Sequence, residues 1–127
     1  MKPPSKSEVL LRKAKGDEAV LDVIILNIAI PNEIYGFHAE QAAEKMIKGL
    51  LAHLKIPYKK IHNIRELTDL LGNHNHPLPP EFSELDRLTP FGTAARYDDG
   101  DFDFSIDRPA TRETIRKLRT WVEAKLK

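Results

Sequence analysis

Five residues have side chains that could bind or react with a phosphate group. Lys45 and Lys48 are three positions apart, so a helix would project them from neighbouring places on its surface. His62 has the side chain type that titrates nearest neutral pH, and Arg96 with Tyr97 combines phosphate-binding donors with a ring that could stack on a base. Together they predict a site for a nucleotide or RNA, with His62 and Arg96 as the candidates for acid–base catalysis.

Each of these residues also has a structural interpretation. Lys48 follows Glu44 by one helical turn, so the two side chains could pair on a solvated helix face. His62 precedes a predicted helix start, which favours an anion, but it could equally tie a loop to the core. Arg96 could bond loop carbonyls while Tyr97 packs. Both interpretations stay open at this point.

Two other patterns are weak indications of a metal site. His74 and His76 lie in a proline-rich loop, where two histidines alone favour a plain surface loop over zinc. The aspartates that begin at Asp99 have the spacing of a calcium loop. However, Phe104 stands where that loop needs glycine, and Ala110 where it needs glutamate. No metal ion and no cofactor is therefore expected.

A basic stripe is predicted along the last helix, where arginines recur at about one helical turn. This stripe could contact an RNA backbone or an acidic partner, neutralise the aspartate-rich segment before it, or simply be solvated. Its members are Arg108, Arg112, Arg116 and Arg119.

Composition favours a single helical domain over residues 1–127. The chain is 41% hydrophobic, enough for one core, and 31% charged, which argues against a membrane protein. Its longest apolar stretch, 19–30, is interrupted by Asp22 and Asn27 and is too short to span a bilayer. There is no cysteine, and the polar start of the chain lacks the apolar core of a secretory signal, so a cytoplasmic location is expected.

Hydrophobic periodicity predicts the two longest helices. The clearer one covers 33–54, where apolar residues recur at steps of three and four. The other starts near Ser5 or Ser7, carries an apolar face that includes Ile28, and is closed by Pro31. Gly16 should weaken or bend it.

Shorter helices are predicted in the second half of the chain. Asn63 and Glu66 form a capping pair that starts a third helix at Ile64, and Gly72 with Asn73 stops it. A fourth covers about 81–95 with a kink at Pro90, and Thr111 caps a fifth. The inward residues of the fourth are Phe82, Leu85, Leu88 and Phe91, and those of the fifth are Ile115, Leu118, Trp121, Val122 and Leu126.

One alternating run could be a strand. Phe102, Phe104 and Ile106 alternate with polar residues, but the run is short and is bounded by Gly100 and Pro109, so a loop is favoured. The fold class that follows is all-α, an antiparallel up-and-down bundle of four to five helices.

Three blocks of the sequence resemble the HEPN family. Residues 37–51 read FHAEQAAEKMIKGLL, which resembles the family signature of Gln-Ala-x-Glu-Lys followed by a lysine and paired leucines. Residues 61–71 resemble the family's His-Asp-Leu segment and the leucines after it, and residues 88–99 resemble its Leu-Thr and Arg-Tyr-Pro-Asp block. With the flanking helices, the blocks cover nearly the whole chain.

The resemblance implies a helical bundle, a homodimer, and a role near nucleotides or RNA with a minimal nucleotidyltransferase as partner in a toxin–antitoxin-like system. Some members are metal-independent ribonucleases that use an arginine, four to six residues, then a histidine. Here no histidine has an arginine at that distance, since Arg65 lies too far before His74. A binding module is therefore predicted, with a ribonuclease using His62 and Arg96, or a non-catalytic scaffold, as alternatives.

Overall fold

A computed structural model describes residues 2–92 and 105–127, and helices are the regular structure in both ranges, with no strand in either. The all-α expectation is confirmed. The predicted loop aromatics Phe102 and Phe104 lie outside the described residues. The helices are α1 (Lys6–Ile24), α2 (Asn32–His53), α3 (Ile64–Asn73), the 3₁₀ helix η1 (Pro80–Leu88) and α4 (Arg108–Lys125).

Helix α2 is the centre of the bundle and packs against each of the other helices. Hydrogen bonds from α2 to α1 and to α4 show the directions of those two helices. The hydroxyl of Ser7, in the first turn of α1, donates to the carbonyl of Gly49 near the end of α2 at 2.7 Å, so α1 and α2 are antiparallel. The Tyr35 hydroxyl, near the start of α2, donates to the carbonyl of Arg108 at 3.3 Å, so α4 starts at the same end as α2. Helix α1 is therefore antiparallel to both α2 and α4, as adjacent helices are in an up-and-down bundle.

Helix α1 begins where predicted but ends earlier. Ser5 and Glu8 form a reciprocal capping box at its start. It ends at Ile24 rather than Ile30, because the Asn27 side chain accepts a hydrogen bond from the Ala29 amide at 3.0 Å and turns the chain.

The segment after α1 is held by an arginine from the far end of the sequence. Arg108 donates to the carbonyls of Ile24, Asn27 and Ile30 at 2.9, 3.1 and 2.5 Å. It also donates to the Asn32 side chain at 3.1 Å. The carbonyls of Ile24 and Asn27 also accept the amides of Asn27 and Ile30, so the guanidinium adds a second bond to each and fixes the α1–α2 connection.

That connection exposes apolar side chains, which corrects one sequence prediction. Ile28 was placed on the buried face of the first helix but is 97% exposed. It lies outside α1, where helical spacing no longer determines its direction. We call the exposed set Val23, Leu26, Ile28 and Ile34 the apolar patch.

The predicted fourth α-helix is instead a 3₁₀ helix, η1, followed by a helical turn over 89–92. Pro90 has no amide to donate to Asp86, and the Asp86 carbonyl instead accepts from the Thr89 amide in the i to i+3 pattern of a 3₁₀ helix. The 3₁₀ form has three residues per turn, and the inward side chains recur at that interval. They are Phe82, Leu85, Leu88 and Phe91, all buried as predicted.

The remaining helix ends are set by side-chain caps. Asn63 accepts from the Glu66 amide at 3.2 Å, as predicted for α3. The cap of α4 is Asp107 rather than Thr111, because Asp107 accepts from the Ala110 amide at 2.9 Å. The inward residues of α4 divide into a buried and a partly buried set, namely Ile115, Leu118 and Val122 against Trp121 and Leu126.

In residues 2–92 and 105–127, no helix combines the length and apolar character needed to cross a membrane.

Two glycines in the long helices provide a matched test of this packing. A Cβ at Gly36 would overlap the Phe91 ring, whereas a Cβ at Gly16 would meet nothing within 4 Å. We expect Gly36→Ala to lower the free energy of unfolding by about 1–3 kcal/mol through overpacking. Gly16→Ala should raise it by roughly 0.5–1 kcal/mol, because alanine is the better helix former.

Urea unfolding followed by circular dichroism measures both glycine variants. Equal effects of the two substitutions would contradict the close approach of α2 to Phe91.

Candidate functional site

Glu44 brings together two of the residues predicted to bind phosphate. Its carboxylate, in a residue only 7% exposed, lies 2.6 Å from Nζ of Lys48 and 2.9 Å from Nδ1 of His62. Lys48 Nζ and His62 Nδ1 are themselves 3.1 Å apart, so His62 accepts from Lys48 or donates to Glu44 according to its tautomer. The predicted ion pair between Glu44 and Lys48 is confirmed. We call these three residues the Glu44 cluster.

The Glu44 cluster faces solvent mainly through His62. The His62 side chain is 76% exposed, while that of Lys48 is 12% exposed. Because Nδ1 points at Glu44, Nε2 is the ring nitrogen left to meet a ligand. Two amides at the start of α3 are already bonded, that of Ile64 to Thr89 and that of Glu66 to Asn63. The predicted help from the α3 N-terminus is correspondingly smaller.

Lys45 lies in a separate cluster. Its ammonium donates to Oδ2 of Asp17 at 2.7 Å, and Oδ1 of the same carboxylate is 3.0 Å from Nδ1 of His38. Asp17 is only 8% exposed and links α1 to α2 through both contacts. Sequence reasoning missed Asp17 and His38, because their partners come from different helices and no spacing rule connects them.

Glu40 is a further residue that the sequence reasoning missed. It is 2% exposed and accepts a hydrogen bond from Gln41 at 2.8 Å. Burial, a hydrogen bond with Glu44 and the charge of Glu44 raise the pKa of Glu40 to about 8. The available signal was its spacing, since Glu40 lies one helical turn before Glu44 on a face that is otherwise apolar.

The pKa of Glu44 moves in the opposite direction. Burial raises it, but hydrogen bonds from Glu40, Lys48 and His62 outweigh burial and bring it below its usual range. The two carboxyl groups therefore hold one proton between them near neutral pH, and that proton resides on Glu40. The Glu44 cluster then contains a single negative charge.

Arg96 and Tyr97 fall outside the described residues, so their place in the site stays a prediction. Gly92, the last described residue before them, lies against Glu40, since a Cβ on Gly92 would be 2.9 Å from Oε1 of Glu40.

The arginine stripe of the last helix is used within the bundle. Arg112 donates to Asp22 at 2.5 Å and to Glu18 at 3.3 Å, and Arg119 donates to Glu18 at 2.5 Å. Arg108 holds the connection after α1, and Arg116 pairs with Glu113 one turn away. These contacts favour the structural interpretation of the stripe over RNA contact.

No three acidic or histidine side chains gather to hold a metal ion within the described ranges. The loop histidines differ in their contacts: His74 Nδ1 bonds the Leu70 carbonyl at 2.9 Å, and His76 is half-buried.

Comparison with known proteins gives one match. The family model described as HEPN domain matches residues 8–125, nearly the whole chain. No curated protein and no solved structure matches.

The buried acid predicts how stability depends on pH. The pKa of Glu40 is higher in the folded protein than its ordinary value of 4.5, so the folded state holds a proton that the unfolded state releases. This contribution is fully present below about pH 4.5 and is lost as the pH rises towards 8. Glu40→Gln keeps a neutral donor, so it should flatten the fall in unfolding free energy between pH 5 and pH 9 by on the order of 2 kcal/mol.

Urea unfolding at pH 5, 7 and 9 measures the effect, with the exposed Glu81→Gln as the control. A Glu40→Gln variant whose pH dependence matched that of the wild type would show that Glu40 is ionised when folded.

Proposed function

The chain belongs to the HEPN domain family, and on that premise we propose that it binds the phosphate of a nucleotide or RNA at Lys48 and His62. Family membership supports a nucleotide- or RNA-related module in general. The finer assignment is supported by the Glu44 cluster, in which one buried carboxylate holds a lysine and an exposed histidine within 3.1 Å of each other.

The charges of the cluster favour an anionic ligand when His62 is protonated. Glu44 then supplies one negative charge against the two positive charges of Lys48 and His62, while the protonated Glu40 supplies none. A phosphate oxygen at Nε2 of His62 would receive a charge-assisted hydrogen bond. Lys48 is less exposed and contributes mainly through its field.

The other predicted residues have supporting parts in this proposal. Lys45 is ion-paired with Asp17, so its charge is compensated there, and it supports the site by joining α1 to α2 rather than by a direct contact. Arg96 and Tyr97 complete the site by binding a second phosphate oxygen and stacking on the base.

A ribonuclease that uses His62 is the second candidate, and the contact with Glu44 favours it. A carboxylate that bonds one ring nitrogen fixes the tautomer and orients the other nitrogen for proton transfer. Arg96 would supply the cation that stabilises the phosphorane-like transition state. A scaffold without ligand binding is the third candidate.

We propose that the functional form is a homodimer that partners a minimal nucleotidyltransferase. The apolar patch supports a protein contact, because Val23, Leu26 and Ile28 are each at least 79% exposed. A cavity of about 410 Å³ that includes Leu26 and Ile28 is lined mostly by apolar side chains, with Asn32 and Arg108 as its polar members. Projecting side chains and a cavity on one face suit a two-fold contact between identical copies.

The binding site is tested by calorimetry with ATP and with a short RNA. His62→Ala should weaken binding about tenfold or more, because it removes a charge-assisted hydrogen bond. His74→Ala is the matched control, since His74 is exposed just after α3 and contacts the Leu70 carbonyl rather than Glu44. Equal weakening by both substitutions, or no binding of either ligand by the wild type, would contradict the proposal.

The same variants separate the binding module from the ribonuclease. Cleavage of a labelled RNA by the wild type that is lost in His62→Ala would establish the second candidate. Cleavage that survives the substitution would remove His62 from any catalytic role. A wild type that binds but does not cleave RNA is the result expected of the module.

The dimer is tested by sedimentation. Ile28→Glu places a charge at the most exposed member of the apolar patch, so it should shift the wild-type dimer towards monomer by at least tenfold in dissociation constant. Thr120→Glu, on the exposed surface of α4, adds the same charge elsewhere and should leave the dimer intact. A monomeric wild type, or an unaffected Ile28→Glu dimer, would contradict this contact.

A further inference from the structure

We propose that a lysine-rich surface around Tyr58 binds the phosphate backbone of single-stranded RNA and leads it to His62. This inference rests on the proposed function and extends it from one phosphate to a length of chain. We call this surface the Tyr58 surface, and its basic members are Lys6, Lys48, Lys55, Lys59 and Lys60.

Three separate segments meet to form the Tyr58 surface. Helix α1 begins where α2 ends, as the bond from Ser7 to Gly49 shows. The ammonium of Lys6 lies 5.0 Å from the centre of the Tyr58 ring, and that of Lys48 lies 5.9 Å from it. A ring face attracts a cation, so Tyr58 brings lysines from α1 and α2 beside the loop that carries the other three.

Lys48 joins the Tyr58 surface to the Glu44 cluster. It contacts Tyr58 on one side and lies 3.1 Å from His62 on the other. A phosphate chain that follows the lysines would therefore arrive at the exposed imidazole.

Lys55 occupies a position that normally belongs to glycine. After α2, the amide of Ile56 bonds the Leu51 carbonyl at 2.9 Å and the amide of Lys55 bonds the Ala52 carbonyl at 3.1 Å. This pair of bonds defines the Schellman ending, whose residue in the place of Lys55 is left-handed and is most often glycine. Lys55 has a φ of 62° there.

Lys60 is also a lysine with a left-handed backbone, in the next turn of the chain. The Ile61 amide bonds the Tyr58 carbonyl at 3.1 Å, so residues 58–61 form a turn in which Lys60 is the third member. Its φ is 64°, the left-handed value that such a turn requires and that glycine or asparagine adopts most readily. Lysine thus occupies the left-handed position in two successive turns, at residues 55 and 60, where its side chain is a conformational disadvantage.

The location of these two lysines supports a ligand with repeated negative charges. Lys55, Lys59 and Lys60 are exposed. Nearby acidic groups are already bonded, since Glu8 caps the Ser5 amide and Glu44 holds Lys48 and His62. Backbone strain that brings no structural gain points to a functional role, and a phosphate track would use these two charges. Lysine binds phosphate as a mobile point charge, whereas arginine presents a rigid planar fork of donors that matches a carboxylate.

The test removes both strained lysines and measures two properties. Lys55→Gly with Lys60→Gly should weaken binding of a fluorescent oligouridylate about tenfold at low salt and reduce the dependence of log affinity on log salt by about 1–2. The same double variant should melt at a higher temperature than the wild type, because glycine relieves the left-handed backbone. Lys15→Ala with Lys117→Ala removes the same charge from exposed helix positions and should leave RNA affinity within twofold.

Calorimetry with ATP separates this proposal from the one on which it rests. ATP bound equally well by the wild type and by the double glycine variant, with oligouridylate weakened only in the variant, supports both. If the variant binds oligouridylate as tightly as the wild type, the proposal for the Tyr58 surface is overturned. ATP binding in the same experiment would still support the His62 site. Poly-glutamate is a second control. If it binds as tightly as RNA and the double glycine variant weakens its binding equally, RNA binding at the Tyr58 surface is overturned and an acidic protein partner is favoured.

Discussion

The rest of the site depends on the burial of Glu44 in the central helix. A carboxylate that is 7% exposed must be paired, and it is satisfied by Lys48 from its own helix and His62 from the following loop. The neighbouring Glu40 cannot ionise as well, so it keeps a proton. The need to pair the buried Glu44 carboxylate therefore fixes Lys48, His62 and the local charge at a single place on the surface.

The fold was predictable where its determinants are close in sequence. The periodicity of α2, the start of α1 near Ser5 and the cap at Asn63 are determined by nearby residues, and all three predictions are confirmed. The end of α1 was predicted wrongly because the Asn27 side chain turns the chain after Ile24, and Arg108, remote in sequence, holds that turn. The 3₁₀ geometry of η1 was also missed, although its inward residues recur at an interval of three, the period of that helix.

The site was predictable to a smaller extent, for the same reason. The pairing of Lys48 with Glu44 follows from helical spacing, whereas their contact with His62 requires the loop to fold back. Lys45 could not be separated from Lys48 by spacing, because the distinction lies in Asp17 on another helix. The lysines around Tyr58 were not recognised, since their shared surface and the left-handed backbone at Lys55 exist only in three dimensions.

The most direct test of the phosphate site is nuclear magnetic resonance of the imidazole and backbone amide groups during titration with AMP. The Nε2 signal of His62 and the amide signals of residues 58–63 should shift first and saturate together. The imidazole signals of His74 should stay unchanged. Shifts confined to α4, or an unperturbed His62 at saturating AMP, would contradict the assignment of the site to the Glu44 cluster.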